Sequence, residues 1–477
     1  MPGLTKRKIE RFALARGHGE FADCLLIDFL NAARTAQQVA TVNNDIVPAQ
    51  VPDMDGREVL IKSFQLPLEA GKEIVAKRES LGGSFSKLSQ LSSLATLGNT
   101  ELGILINAFS VANVELNGVW FDHNSNGFSN DALPMRKNYD DPISLPEWED
   151  TAGHKKHEES PACYSIADTK NNQITIKARF SGPASQSVYI KGRNIGDNKF
   201  GFPDATLISF DTNGDSGWVE FPLAGVNFHN KGIQVYNISW RWHFALTEKG
   251  AFCPFGKSSH HSIYTVLEAP KAPWVLLAGS NQAPWQSALE LACNWAKGAK
   301  NVDDAAAEIT ISHFGSGFQY VGISNYSTPF DFFLTDYLTK IHDMRNNPLP
   351  DHVNCTDCAA SVSTLANLVG HDLWQSKMGL ESRAFQYKKI TPIGAHRAVT
   401  GFFQFHEVAW KGSCDFSERL FDGCLKVNGS LQRILPLDIK FGDCRSGGYR
   451  QLMTSPALVG CPLCPEKPET KIRRFLI

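Results

Sequence analysis

Residues 354–370, NCTDCAASVSTLANLVG, set two cysteines three positions apart at the start of a helical pattern. Thiols at such a spacing have three chemical uses: a metal-ligating pair, a redox pair, or a nucleophile with a bystander. The pattern tells the two sulfurs apart. Cys358, Val362, Leu365, Ala366 and Val369 recur at three- and four-residue intervals, which marks the buried face of a helix closed by Gly370. Asn354 is a suitable N-cap, so Cys355 falls in the first turn, where unpaired N–H groups and the helix dipole favour a thiolate over a thiol. Cys358, one turn further in, is expected to be buried and inert.

A thiolate that attacks carbonyls needs a base within hydrogen-bond reach and a third group to orient that base. TGFFQFHEVAW (400–410) alternates as a strand with His406 at its centre and Phe402, Gln404, Val408 and Trp410 on the same face. RLFDGCLKV (419–427) offers a second short strand carrying Asp422, with Asp415 as its nearest rival. Cys355, His406 and Asp422 supply nucleophile, base and orienting acid in that order, 51 and 16 residues apart. The backbone N–H of Cys355 is the natural oxyanion donor, with Gln404 or a tryptophan as side-chain candidates.

NCTDCA resembles the C-x-D-x-A stretch of the transglutaminase-like superfamily. That resemblance implies a papain-like core over roughly 275–445, in which a helix carries the cysteine and two following strands carry the histidine and the aspartate. It gives Cys355, His406 and Asp422 the catalytic roles, and it adds Asn354, before the cysteine, and Trp410, after the histidine, to the substrate-site candidates. A β-sandwich ahead of the core is an arrangement also found in transglutaminases.

Such a triad needs elements to hold it, and the chain changes character along its length. Residues 1–135 read as a mainly helical region of unassigned role, with LGILINAFSVANVEL (102–116) as a buried helix. Residues 136–160, rich in charge and proline, read as a linker. Residues 161–272 read as a β-sandwich. There Ile174, Ile176, Ala178 and Phe180 alternate with polar partners, as do Tyr236, Ile238, Trp240, Trp242 and Phe244. Asp211–Gly217 reads as a hairpin turn between strands. Residues 273–477 read as the catalytic core with a cysteine-rich tail: Trp285, Ala288, Leu289, Ala292 and Ala296 share one helix face. Thr328 and Pro329 open another helix, with Phe330, Phe333, Leu334, Tyr337, Leu338 and Ile341 facing inward. The whole is expected to be a multidomain α+β protein.

Composition narrows the partners. Lysine plus arginine (47) nearly balances aspartate plus glutamate (49), so no net field points to nucleic acid or an anionic membrane. The basic runs TKRKIER and KIRRF are short enough to be solvated faces or tails. No segment has the apolar length of a membrane span, and no apolar stretch follows the basic start, so a cytoplasmic location is expected. Eleven cysteines, an odd number, then read as reduced thiols.

GCPLCPEKP supplies a second C-x-x-C, Cys461 and Cys464, but four-thiolate zinc with Cys355 and Cys358 would span 103 residues, far outside a zinc-ribbon spacing. DHNSNG (122–127) opens like a calcium loop and has Leu133 where the twelfth-position glutamate belongs. The expectation is therefore a cofactor-free thiol enzyme acting on a peptide, protein or small amide or ester. Water or an amine would take the acyl group. A non-catalytic interaction protein, with a degenerate core or a structural zinc, is the alternative.

Overall fold

The computed structural model describes most of residues 114–427, together with 67–84, 448–453, 470–477 and a few short pieces elsewhere. Stretches 124–130, 151–159, 276–282, 379–384, 428–439, 441–447 and 454–469 are the longer parts outside that description. It is a mixed α+β chain, richer in strand than in helix.

Two sheets form the first half. One runs in the order Trp148–Glu149, Glu115–Trp120, Thr175–Ser181, Asp215–Ala224, Phe202–Pro203. The other runs Ala162–Ser165, Ser259–Val266, Gln234–Ala245, Ser187–Asn194, Thr206–Ser209. The alternation seen in the sequence is what joins them. Ile176, Ala178 and Phe180 point to one side of their strand and are buried, as are Ile238, Trp240, Trp242 and Phe244 on theirs. Across the gap Phe180 and Phe221 meet Trp242 at ring distances of 5.4 and 5.8 Å. Each such buried aromatic contributes roughly 2–3 kcal/mol in area removed from water.

Three boundaries differ from expectation. Residues 115–116, the end of the expected buried helix, lie instead in the Glu115–Trp120 strand of the first sheet, and 101–113 fall outside the described residues. The helix-like apolar run misled because this strand bulges between Leu116 and Gly118, which breaks its alternation. Gly118 is required there, since a Cβ would sit 2.8 Å from the ring of Trp218. Nor does the 136–160 stretch merely link: Trp148–Glu149 pairs with Glu115–Trp120, and Trp148 is buried. The 211–217 turn connects strands of opposite sheets and is no hairpin.

Glu147 shows how firmly this stretch is built in. Its buried carboxylate accepts the N–H groups of Phe121 at 2.8 Å and Asp122 at 2.9 Å. Burial outweighs those bonds and pushes its pKa from an ordinary 4.5 up to about 7. A carboxyl with a raised folded-state pKa costs nothing while both states are protonated and its full penalty once both are charged. Stability from this group therefore falls as pH rises from about 4.5 to about 7, by about 3 kcal/mol. Glu147→Gln is expected to gain on the wild type by that order between pH 5 and 8 in urea unfolding. A pH-independent gap would refute the assignment.

The second half is built around the helix Cys355–Leu368, every residue of which is buried. Helices Gln286–Trp295 and Val302–Phe314 pack on one side of it, and strands Leu373–Met378 and His406–Lys411 on the other. The expected apolar faces hold: Trp285, Ala288, Leu289, Ala292 and Ala296 are buried, as are Leu334, Tyr337 and Ile341. The third helix starts later than Thr328, at Leu334. Thr328 caps a turn instead, its hydroxyl accepting the Asp331 N–H at 2.8 Å, and Phe330 is 73% exposed. Asp331–Phe332 is a strand, parallel to Phe475–Leu476.

The sandwich exit is stitched to the far end of the cysteine helix. Leu267 N–H donates to Val369 O at 3.2 Å, Lys271 N–H to Asn367 O at 2.9 Å and Trp274 Nε1 to Thr364 O at 2.7 Å. Gly370 makes the approach possible: it has φ of 109°, and a Cβ there would lie 2.6 Å from Glu268. Among the described residues no helix is long and apolar enough to cross a membrane.

Candidate active site

The mouth of the cysteine helix is fixed by its own sequence. Asn354 is extended, its side chain accepts the Asp357 N–H at 3.1 Å, and Asp357 accepts the Asn354 N–H at 3.2 Å, a complete capping box. Asp357 does more than cap. It also takes the Ser324 hydroxyl at 2.5 Å and the N–H groups of Asn325 and Tyr326, each at 3.0 Å, and so anchors the 324–327 loop beside the cysteine. The aspartate of the C-x-D pattern is therefore an architectural group. Cys355, 4% exposed, is the first helical residue, and its N–H has no intrahelical acceptor.

His406 begins the strand that pairs with Leu373–Met378, opposite Met378. Its Nε2 lies 2.8 Å from Asp422 Oδ2, and both side chains are buried. Asp422 is itself held: Oδ1 accepts the Cys424 and Leu425 N–H groups at 2.8 and 3.1 Å, and Oδ2 accepts the Tyr449 hydroxyl at 2.6 Å. The imidazole stacks on Phe403 at 5.2 Å, and Phe403 packs at a tilt against Tyr387 at 4.4 Å.

With Nε2 engaged by Asp422, the Nδ1 atom of His406 is buried with no hydrogen-bond partner among the described residues, and the Cys355 side chain lies close enough to favour the charged imidazole. Burial alone would push the His406 pKa down. The Asp422 charge and hydrogen bond, with the contribution of Cys355, outweigh it and hold the pKa at about 10. Asp422 and Cys355 thus favour the charged form of the His406 imidazole.

The structure brings Cys355, His406 and Asp422 together and leaves the other candidates apart. Asn354 is consumed by the cap. Gln404 is exposed in a break between strands Val399–Phe403 and His406–Lys411, which belong to different sheets. The single strand expected over 400–410 is thereby corrected. The break resets the alternation, so Phe402 turns outward, 63% exposed, and Phe403 is the residue that meets His406. Trp410 is buried opposite Trp374 and Leu420, about 13 Å along the strand from His406 by the usual rise per residue. Cys461, Cys464 and Asp415 lie outside the described residues.

Cys358 is buried, and desolvation pushes its thiol pKa up, as it does for Cys424. Among the described residues no group of three or more metal-ligating side chains is placed to hold an ion.

Three functional neighbours escaped the sequence reading. Tyr449 caps Asp422 from a short helix with no distinctive pattern. His313, fully buried, hydrogen-bonds Tyr337 at 2.7 Å and backs the Asp422 turn, where a Cβ on Gly423 would come 2.7 Å from its ring. Tyr320 stands beside Cys355: burial first, then the Cys355 charge, push its hydroxyl pKa well up. It lies in a two-residue strand, Gln319–Tyr320, that pairs with His352–Val353 just before the cysteine, and no motif marks it.

No family model and no curated protein matches the chain. A solved structure similar to part of it is the crystal structure of red sea bream transglutaminase. The two share 8% sequence identity at a TM-score of 0.30, over 62% of this chain and 50% of that one. The chain thus spans half the length of that structure, and so slight a likeness says nothing about activity.

Proposed function

We propose that the protein is a cysteine-dependent acyl-transfer enzyme acting on an amide or ester of a peptide, protein or small molecule. The observation that carries this reading is the buried His406–Asp422 pair, whose second ring nitrogen is unpartnered among the described residues, beside Cys355 at a helix N-terminus. An imidazolium there supports a thiolate by charge.

The Cys355 sulfur attacks the carbonyl carbon, and the resulting oxyanion is met by the Cys355 N–H, with the Tyr320 hydroxyl as a second donor that its raised pKa keeps protonated. Collapse breaks the bond to the leaving nitrogen or oxygen, which takes the Nδ1 proton from His406. Water or an amine then attacks the thioester and returns its proton to Nδ1. Hydrolysis gives an acid, aminolysis a new amide.

Peptide-mapped alkylation with limiting iodoacetamide, from about pH 5 to 9, tests the premise. Cys355 is expected to label at pH 6 at least about tenfold faster than an ordinary thiol, whose pKa near 8.5 leaves it mostly protonated. His406→Ala should abolish that low-pH reaction. Equal, slow labelling of Cys355 and Cys358 would defeat the proposal.

A further inference from the structure

KIRRF, read from sequence as a solvated tail, is nothing of the kind. Thr470–Ile472 forms a strand against Leu373–Met378, Phe475–Leu476 forms another against Asp331–Phe332, and between them Arg474 is buried. Its guanidinium donates from Nη1 to Glu407 Oε1 at 2.6 Å and from Nη2 to Glu407 Oε2 at 3.3 Å. It also reaches Gln375 Oε1 from Nη1 at 2.5 Å and the Thr328 carbonyl from Nε at 2.6 Å.

Glu407 is the neighbour of His406 and accepts the hydroxyl of Thr356, the neighbour of Cys355, at 3.1 Å. Thr328 closes the same loop whose Ser324, Asn325 and Tyr326 hang on Asp357 of the cysteine helix. The bonds therefore form a ring: helix to loop, loop to Arg474, Arg474 to Glu407, Glu407 back to helix. The ring ties the cysteine helix to the histidine strand beside the reacting atoms and shares none of the triad's own bonds.

We propose that Arg474 is a positioning residue that sets the Cys355–His406 approach through Glu407 and Thr356. The inference rests on the acyl-transfer reading. The guanidinium fork satisfies both oxygens of a buried carboxylate at fixed angles, which an ammonium cannot do, so geometry as well as charge is being supplied. A displacement of about 1 Å at such a site costs up to about a hundredfold in rate. The charged and titratable groups around the ring are Glu407 and Asp357, with His406, Asp422 and Cys355 one residue or one bond away.

The test is the ratio of Cys355 alkylation rates at pH 6 and pH 9 in the full chain. It is read for wild type, Arg474→Met with Glu407→Gln, Arg474→Lys and Thr356→Val. On the acyl-transfer reading the wild-type ratio is expected near one. The charge-free double variant should lower it by about tenfold or more, Arg474→Lys should restore it only in part, and Thr356→Val should lower it by a smaller factor. Continued protection of the buried Cys163 and Cys293 shows that the fold is intact. If the double variant exposes them, Thr356→Val, which removes one hydroxyl at constant shape, carries the decision.

A high wild-type ratio unchanged in every variant overturns the positioning role and leaves the acyl-transfer reading standing. A low ratio in the wild type itself overturns both.

Discussion

Cys355→Ala is expected to reduce turnover of any acyl donor by about 10⁶-fold, the order lost when the nucleophile of such a unit is removed. The size follows from the chemistry. Alanine offers no atom to form the thioester, and the remaining groups can only orient water. The same variant should fold, since the helix mouth is held by Asn354 and Asp357 and no hydrogen bond of that cap passes through the Cys355 sulfur. Unfolding in urea checks the fold and kcat on an acyl donor checks the chemistry. Retention of more than about one per cent of activity in a folded alanine variant contradicts a covalent mechanism, since a triad member's loss leaves at most a small residue.

Asp422→Asn is the second large effect, about 10⁴-fold in kcat. The aspartate does three things at once: it accepts two backbone N–H groups, takes the Tyr449 hydroxyl, and charges His406. An amide preserves the volume but withdraws the charge, leaving only the smaller contribution of Cys355 against the burial that pushes the His406 pKa down. The low-pH labelling of Cys355 should vanish with the imidazolium.

A stability signature accompanies it. In the wild type the folded pKa of His406, about 10, lies above its ordinary 6.5, so this group stabilises the fold fully below pH 6.5. That contribution is lost as pH rises from 6.5 to 10. The stability gap between wild type and Asp422→Asn should therefore be widest at pH 6 and close toward pH 10. A constant gap, measured by denaturant midpoint, would mean that His406 is neutral in the native state.

What could be read from sequence was what is local. The alternation at Ile174–Phe180 and Tyr236–Phe244 states its own burial, because one sheet face decides every second residue. Asn354, Cys355 and Gly370 announce a helix start and stop by backbone chemistry alone. The order Cys355, His406, Asp422 could be proposed because each residue type has a distinct part in a thiol mechanism, and the structure hydrogen-bonds His406 to Asp422.

Non-local contacts were hidden. Glu115–Trp120 gains its identity from a partner some 60 residues away, through a bulge that erases its alternation. Arg474 finds Glu407 across 67 positions, and nothing in KIRRF separates the buried Arg474 from the half-buried Arg473 or the exposed Lys471. The strand switch at Gln404–Phe405 escaped for a related reason. A two-residue break between sheets leaves the composition of a strand unchanged while exchanging which of Phe402 and Phe403 faces inward.

The helix Cys355–Leu368 has no face toward solvent, and its far end is hydrogen-bonded to the sandwich exit through Asn367, Thr364 and Val369. Its central amides cannot open to deuterium by fraying from one side, because every side adjoins another packed element. They would exchange only when the whole second half comes apart, and so serve as a built-in gauge of global opening against which looser segments can be ranked.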